Sequence, residues 1–414
     1  MFVMNGFQSP KRAKSVSTAQ TRLAGALIWI SVTICFVEVS VPNHGRPEQI
    51  AYNQRVSPPN PIHPTIKGRG AAANPANRFD KIDFEPDGDY LDLDEQLPPQ
   101  TVYIRDAARS IIATNDSPDV GFTHSINPYR GCSHGCIYCY ARPTHEYFGL
   151  SAGLDFETQI FVKEKAAELL RAELSAKKWQ PTTLSMSGVT DCYQPVERKL
   201  RLTRSCIEVL AEFGNPVGVI TKNHAVTRDI DILAPMARKR QAVVMLSVTT
   251  LDADLASKME PRTSAPRRRL EAIKMLASAG IPVGVMVAPI IPGLTDHEMP
   301  KILEAAAEAG AKFAGWVPIR LPMAVAPLFE NWLERHYPDR KQKVLGRIRE
   351  IRGGKLNESE FGKRMRGEGE YASHLRSMFK LAIRRCGLDQ PIPEMSVAGF
   401  RVPPAARNQL ELFR

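Results

Sequence analysis

Cysteine is scarce in this chain: seven residues in 414. An odd and small number in so long a sequence excludes a secreted disulfide scaffold. Aromatic residues are only 7% and charged residues 24%, while hydrophobic residues reach 43%. The charge is too low and the apolar content too high for a wholly disordered chain or a coiled coil. Glycine (27) and proline (32) follow no three-residue period, which excludes a collagen. The uncharged stretch Leu23–Val37 has 15 residues, short of the roughly 20 of a comfortable membrane span, and a polytopic membrane protein is excluded. What remains is a globular chain. At roughly 150 residues per domain it has room for two or three domains, or for one large barrel with extensions.

The net charge is +11, and it is unevenly placed. Arg335–Arg385 holds 15 Lys or Arg against 6 Asp or Glu, and residues 1–60 hold 6 against 2. The middle is therefore slightly acidic. A basic stretch of this kind either attracts nucleic acid or is a solvated helical face.

Four divisions are expected. Residues 1–60 form an N-terminal extension. Lys11, Arg12, Lys14 and Arg22 precede Leu23–Val37, which leaves three readings open: an extension from an early start, a membrane anchor, or an export signal. Residues 61–115 are a proline-rich and acidic arm, within a stretch that has ten prolines between Val41 and Gln100. Residues 116–325 are the core, and residues 326–414 a basic, helical C-terminal region. Gln409–Phe413 is expected to dock on the body.

In the core, short β-branched runs alternate with amphipathic stretches. Strands are expected at Thr123–Asn127, Thr183–Ser187, Val217–Thr221, Ala242–Val248, Pro282–Val287 and Phe313–Val317. Helices are expected at Glu164–Ser175, Arg201–Phe213, Ser264–Ala279 and Asp296–Ala309, with Ser264 and Asp296 as N-caps and Gly280 and Gly310 as stops. Further helices are expected over Trp332–Arg352 and Tyr371–Cys386. Six β-α units in series predict an α/β fold with a parallel sheet curled into a partial (β/α)6 TIM-like barrel, carrying an N-terminal arm and a helical basic C-terminal extension. Chemistry in such folds lies at the C-terminal ends of the strands.

Three of the seven cysteines follow the first expected strand: Cys132, Cys136 and Cys139, in C-x3-C-x2-C spacing. Clustered thiolates are soft ligands and suit zinc or an iron–sulfur cluster. Zinc usually takes four protein ligands, for which His134 and His145 are candidates. A [4Fe–4S] cluster on three cysteines leaves one iron open.

The motif Cys132-x3-Cys136-x-Tyr138-Cys139, set after a first strand, resembles the signature of the radical S-adenosylmethionine (radical SAM) superfamily. Cys136–Tyr140 and Thr190–Pro195 resemble the branch related to spore photoproduct lyase. The resemblance implies that Cys132, Cys136 and Cys139 hold a [4Fe–4S] cluster whose open iron binds S-adenosyl-L-methionine. Reductive cleavage would then give a 5′-deoxyadenosyl radical that takes hydrogen from the substrate. It also implies cofactor contacts at successive strand ends: Thr190 and Asp191 for the amino group, Lys222 for the carboxylate or ribose, Ser247 for the ribose, Arg262 for the carboxylate, and Tyr138 through its backbone. The apolar turn Val287–Gly293 would hold the adenine. A Gly-Gly-Glu segment usual in the superfamily is absent. Cys192 is a candidate hydrogen donor to a product radical. The implied partners are a reductant such as flavodoxin or ferredoxin and a nucleic-acid substrate, with no membrane role, and the implied location is the cytoplasm. The competing reading is a non-catalytic, metal-stapled module that binds nucleic acid through its basic tail.

Overall fold

The computed structural model describes residues 65–80 and 99–404. Cys35, the stretch Leu23–Val37, most of the acidic segment of the arm and Gln409–Phe413 lie outside the described residues.

The strands in chain order are β1 (Val102–Arg105), β2 (Ile112–Thr114), β3 (His124–Ile126), β4 (Tyr129–Arg130), β5 (Gln159–Val162), β6 (Leu184–Met186), β7 (Val217–Thr221), β8 (Ala242–Ser247), β9 (Val283–Ile290) and β10 (Phe313–Pro318). The helices are α1 (Leu154–Thr158), α2 (Ala166–Ser175), α3 (Glu197–Leu200), α4 (Leu202–Phe213), α5 (Ile230–Arg238), α6 (Ala253–Met259), α7 (Pro266–Ser278), α8 (Met299–Glu308), α9 (Val325–His336), α10 (Pro338–Glu350) and α11 (Gly369–Cys386). This is a mixed α/β fold.

The main sheet has the order β10-β9-β8-β7-β6-β3-β2. Every pair from β3 to β10 is parallel, and β2 joins the edge antiparallel to β3. All six expected strands are present, within a few residues of their expected ends. Strand alternation explains the layering. Val244 and Leu246 of β8, with Val283, Val285 and Val287 of β9, join the core under the helices. Val243, Met245 and Met286 face the other way, toward Phe313, Val317 and Met365. A small second sheet, β1-β5-β4, was not foreseen.

Gly280 and Gly310 stop their helices in the left-handed region, at φ 74° and 104°, as expected of C-terminal glycines. The two proposed N-caps are corrected. The residue before α7 is Ala265, because Pro266 occupies the first helical position. The Ser264 hydroxyl instead accepts the His224 N–H at 2.8 Å. Asp296 lies inside a short 3-10 turn, where its carboxylate accepts the Gly293 N–H at 3.0 Å and the Tyr371 hydroxyl. The single helix expected over Trp332–Arg352 is two, broken at Tyr337 because Pro338 cannot continue the preceding hydrogen-bond ladder.

The basic C-terminal helices are packed elements with charged outer faces. Leu375, Phe379 and Ile383 of α11 are buried in the main core, while Arg376, Lys380, Arg384 and Arg385 are exposed. Trp332 and Ile348 share a cluster with Ala71, Cys136 and Ile137. The arm residues Arg69 and Ala71 are buried as well. No helix among the described residues is long and apolar enough to cross a membrane.

Candidate active site

The C-terminal ends of the parallel strands open onto one cavity of about 920 Å³, counted out to bulk solvent. Cys132, Cys136 and Cys139 line it, together with Tyr138, Thr190, Asp191, Lys222 and Ser247. Eight of the ten residues given a cluster, cofactor or hydrogen-donor role thus meet in one place, and the candidate ligand His134 lines it as well.

The cysteine loop is built to fold back tightly. Gly131 and Gly135 sit at φ 76° and 68°, where a side chain would be strained. The Cys132 N–H donates to Phe156 O at 2.9 Å, and the Ile137 N–H to Met259 O at 3.0 Å. The Gln194 amide spans the loop, its oxygen accepting from Ser133 N at 3.0 Å and its nitrogen donating to Gly131 O at 3.2 Å. Arg142 donates to Cys136 O at 3.0 Å and to Gly135 O at 3.4 Å.

The three thiols are free, and burial pushes each of them above the ordinary thiol range. A cation that draws off their protons would relieve that cost. Among the described residues, no three His, Cys, Asp or Glu side chains converge on a single metal ion. The three cysteines instead line the cavity. Neither candidate histidine is offered as a fourth ligand. His134 Nε2 bonds the Asn223 amide at 3.1 Å, and its Nδ1 lies 3.5 Å from Asp191 Oδ2. His145 Nε2 bonds Gln159 O at 2.9 Å, away from the cavity. Burial lowers both imidazoles to about 4, so they are neutral. A donor set of three soft ligands beside an open cavity fits a cluster with one uncapped iron better than a closed zinc site.

Asp191 organises the neighbouring strand ends. Its carboxylate accepts the Thr221 hydroxyl at 2.7 Å, the Lys222 N–H at 2.8 Å and the Tyr193 N–H at 2.9 Å. Lys222 faces the cavity, its ammonium 6.0 Å from the Tyr138 ring centre, and burial lowers its pKa. The Thr190 hydroxyl turns inward and donates to Tyr129 O at 2.8 Å. Tyr138 donates to Glu260, which also takes the Thr249 hydroxyl at 2.8 Å and pairs with Arg269. Ala288 and Pro289, from the turn expected to hold adenine, also line the cavity.

Two of the sequence candidates are not brought in. Arg262 lies behind the loop, donating to Thr101 Oγ1 at 3.3 Å and covering Gly68. Its place was misjudged because the arm, which it meets, has no regular pattern to read. Cys192 is fully buried in the main core. Its N–H donates to Ser187 Oγ at 2.9 Å and its carbonyl accepts the Thr203 hydroxyl at 2.6 Å. The thiol is therefore a packed side chain. Sequence reasoning passed over Tyr140, Ser187 and Arg320, which also line the cavity, and Glu157 and Arg142, which hold the loop from behind. Only Ser187 carried a local signal, as the residue opening the polar segment after its strand.

A family model described as Radical SAM superfamily matches residues 126–306. An uncharacterised protein of Mycobacterium bovis is 36% identical over 232 residues, 56% of this chain and 67% of that protein. An uncharacterised protein of Methanocaldococcus jannaschii is 29% identical over 178 residues, 43% of this chain and 64% of that one. A solved structure of a spore photoproduct lyase variant superposes with a TM-score of 0.50 at 18% identity, covering 72% of this chain and 82% of that chain.

Proposed function

Because this chain belongs to the radical SAM superfamily, and is thereby an enzyme with a radical-generating role, we propose that Cys132, Cys136 and Cys139 hold a [4Fe–4S] cluster and that the cavity beside them binds S-adenosyl-L-methionine. The observation that carries the reading is the meeting of the three loop thiols with Asp191, Lys222 and Ser247, from three further strand ends, around one cavity. When bound, the cluster would supply one electron that cleaves the sulfonium to methionine and a 5′-deoxyadenosyl radical.

The chain's own residues bind, orient and shelter. The Lys222 ammonium answers the methionine carboxylate and Ser247 a ribose hydroxyl. Asp191 fixes the main chain of Lys222 and the orientation of His134, and its remaining acceptor capacity serves the cofactor's amino group. Tyr138, tied to Glu260, and the Ala288–Pro289 turn give the adenine an apolar wall. The apolar lining of Ile220, Met286 and Val317 keeps water from the radical. In this reading the six parallel strands form a partial (β/α)6 barrel spanning residues 116–325, flanked by the extension, the arm and the basic C-terminal region, and the enzyme works in the cytoplasm with a small redox protein. The substrate class we favour is nucleic acid, on the exposed cationic faces of α10 and α11. The alternative of a non-catalytic, metal-stapled module falls with family membership.

Anaerobic reconstitution with iron and sulfide, followed by dithionite and S-adenosylmethionine, tests the reading. Stoichiometric 5′-deoxyadenosine supports it. Tightly held zinc, no brown chromophore and no cleavage would overturn it.

A further inference from the structure

A second cavity lies behind the cysteine loop and shares no lining residue with the first. Arg198, His224, Arg228 and Arg268 line it with Asn223 and Ser264. Two short basic runs, Arg198-Lys199-Leu200-Arg201 and Arg267-Arg268-Arg269, flank it. They arise in the stretch of sequence whose charge is slightly acidic overall, and only the fold brings them together.

The charges differ in what they already do. Arg228 is neutralised by Glu197 at 2.9 Å and Asp229 at 2.7 Å, and Arg269 is buried on Glu260. Arg268 shares Glu271 at 2.5 Å and donates to His224 Nδ1 at 3.2 Å. Arg198, Lys199, Arg201 and Arg267 are exposed, and none of them has a carboxylate partner among the described residues. Leu200, 42% exposed, adds an apolar point to this cationic rim.

The pocket floor is bonded through to the cysteine loop. The His224 N–H donates to Ser264 Oγ at 2.8 Å, Ser264 Oγ donates to Asn223 Oδ1 at 3.1 Å, and the Asn223 amide meets His134 Nε2 at 3.1 Å. His134 lies between Cys132 and Cys136 in sequence. The loop Lys222–Asn223 thus has the proposed cofactor cavity on one side and an electropositive recess on the other.

We infer that this recess is the docking face for an acidic one-electron donor protein, an inference that rests on the radical SAM reading above. A substrate that gives up hydrogen must enter the first cavity. An electron donor need only approach the cluster, from a side that leaves that cavity closed. A cationic rim with one apolar point and a bonded path to the cysteine loop meets that need, and complementary charge is what steers such transient encounters. The donor loses one electron, and one sulfonium carbon–sulfur bond breaks, giving methionine and one carbon-centred radical for each donor oxidised.

The test compares the full reconstituted chain with Arg198→Glu and with Arg198→Glu/Arg267→Glu. Both side chains are exposed and unpaired, so folding and iron content should match wild type. Two readouts are taken: the Kd for oxidised flavodoxin by fluorescence anisotropy at low and moderate salt, and 5′-deoxyadenosine formation driven by reduced flavodoxin or by dithionite. The expected result is a Kd raised about tenfold or more at low salt, with a smaller difference at higher salt. The flavodoxin-driven rate should fall while the dithionite-driven rate stays at wild type. An unchanged flavodoxin Kd and rate would overturn the inference. So would an equal fall with both reductants, or weakened binding of a single-stranded oligonucleotide with flavodoxin-driven cleavage intact, which would mark the recess as a phosphate-backbone site. Absence of dithionite-driven cleavage in the wild type would instead remove the radical SAM reading itself.

Discussion

The carboxylate of Glu157 accepts the main-chain N–H of Gly70 at 3.0 Å, across 87 residues of sequence. It takes the Ala71 N–H at 2.8 Å as well, and Arg142 pairs with the same group at 2.5 Å. A segment that reads as an irregular linker is thus clamped under the cysteine loop by a buried ion pair. At Gly70 the approach is so close that a Cβ would stand 1.9 Å from Gly135 O.

Gly70→Ala should therefore lift the arm from the loop. Overpacking against main chain costs about 1–3 kcal/mol, and the loop would lose its backing. The expected outcome is a lower denaturation midpoint together with reduced iron per chain after reconstitution. Full iron occupancy would show that the arm does not support the loop. Glu157→Gln should be more severe, about 3 kcal/mol, because it leaves the Arg142 guanidinium buried without its counter-charge.

Cys136→Ala should abolish iron incorporation and cofactor cleavage, measured as bound iron and 5′-deoxyadenosine. Cys192→Ala should keep both, and product formation too once a substrate is known, because its thiol is packed in the core away from the cavity. Loss of turnover with cleavage retained would restore a hydrogen-donor role to Cys192.

Lys222→Met should weaken S-adenosylmethionine binding by roughly tenfold or more, on the scale of a lost charge-assisted bond of about 1.5–3 kcal/mol. Equilibrium dialysis on the reconstituted protein checks this, with iron content unchanged. An unaltered affinity would move the carboxylate contact elsewhere.

Acid should destabilise the fold through His145. Burial lowers its folded pKa to about 4 from an ordinary 6.5, so the unfolded chain binds more protons between those values. Stability is then fully present above pH 6.5 and is lost as pH falls toward 4, by on the order of 2–3 kcal/mol. Urea midpoints at pH 7 and pH 4.5 measure the loss, and His145→Gln should make that part of the slope disappear.

The strands were legible because most are largely buried and the longer ones read as short runs rich in β-branched residues. The cysteine loop was legible because ligand spacing in a single tight turn is a local property. Ser264 and Asp296 misled because a side chain that looks like a cap competes with nearby backbone donors, and the choice between them depends on where the next loop lies. Cys192 misled for a related reason: a position a few residues past a strand end leaves open whether the side chain turns to the cavity or away from it, while Arg262, which follows α6, turns to the irregular arm.

By itself, the sequence determined the parallel α/β pattern and the three clustered thiols, since both follow from periodicity and spacing along the chain. Tertiary structure alone decided that Glu157 and Arg142 anchor the arm, that the Nε2 atoms of His134 and His145 are taken up by Asn223 and Gln159, and that two separate basic runs share one recess. Each of these depends on groups far apart in sequence meeting in space, and burial and charge pairing there are set by packing rather than by local order.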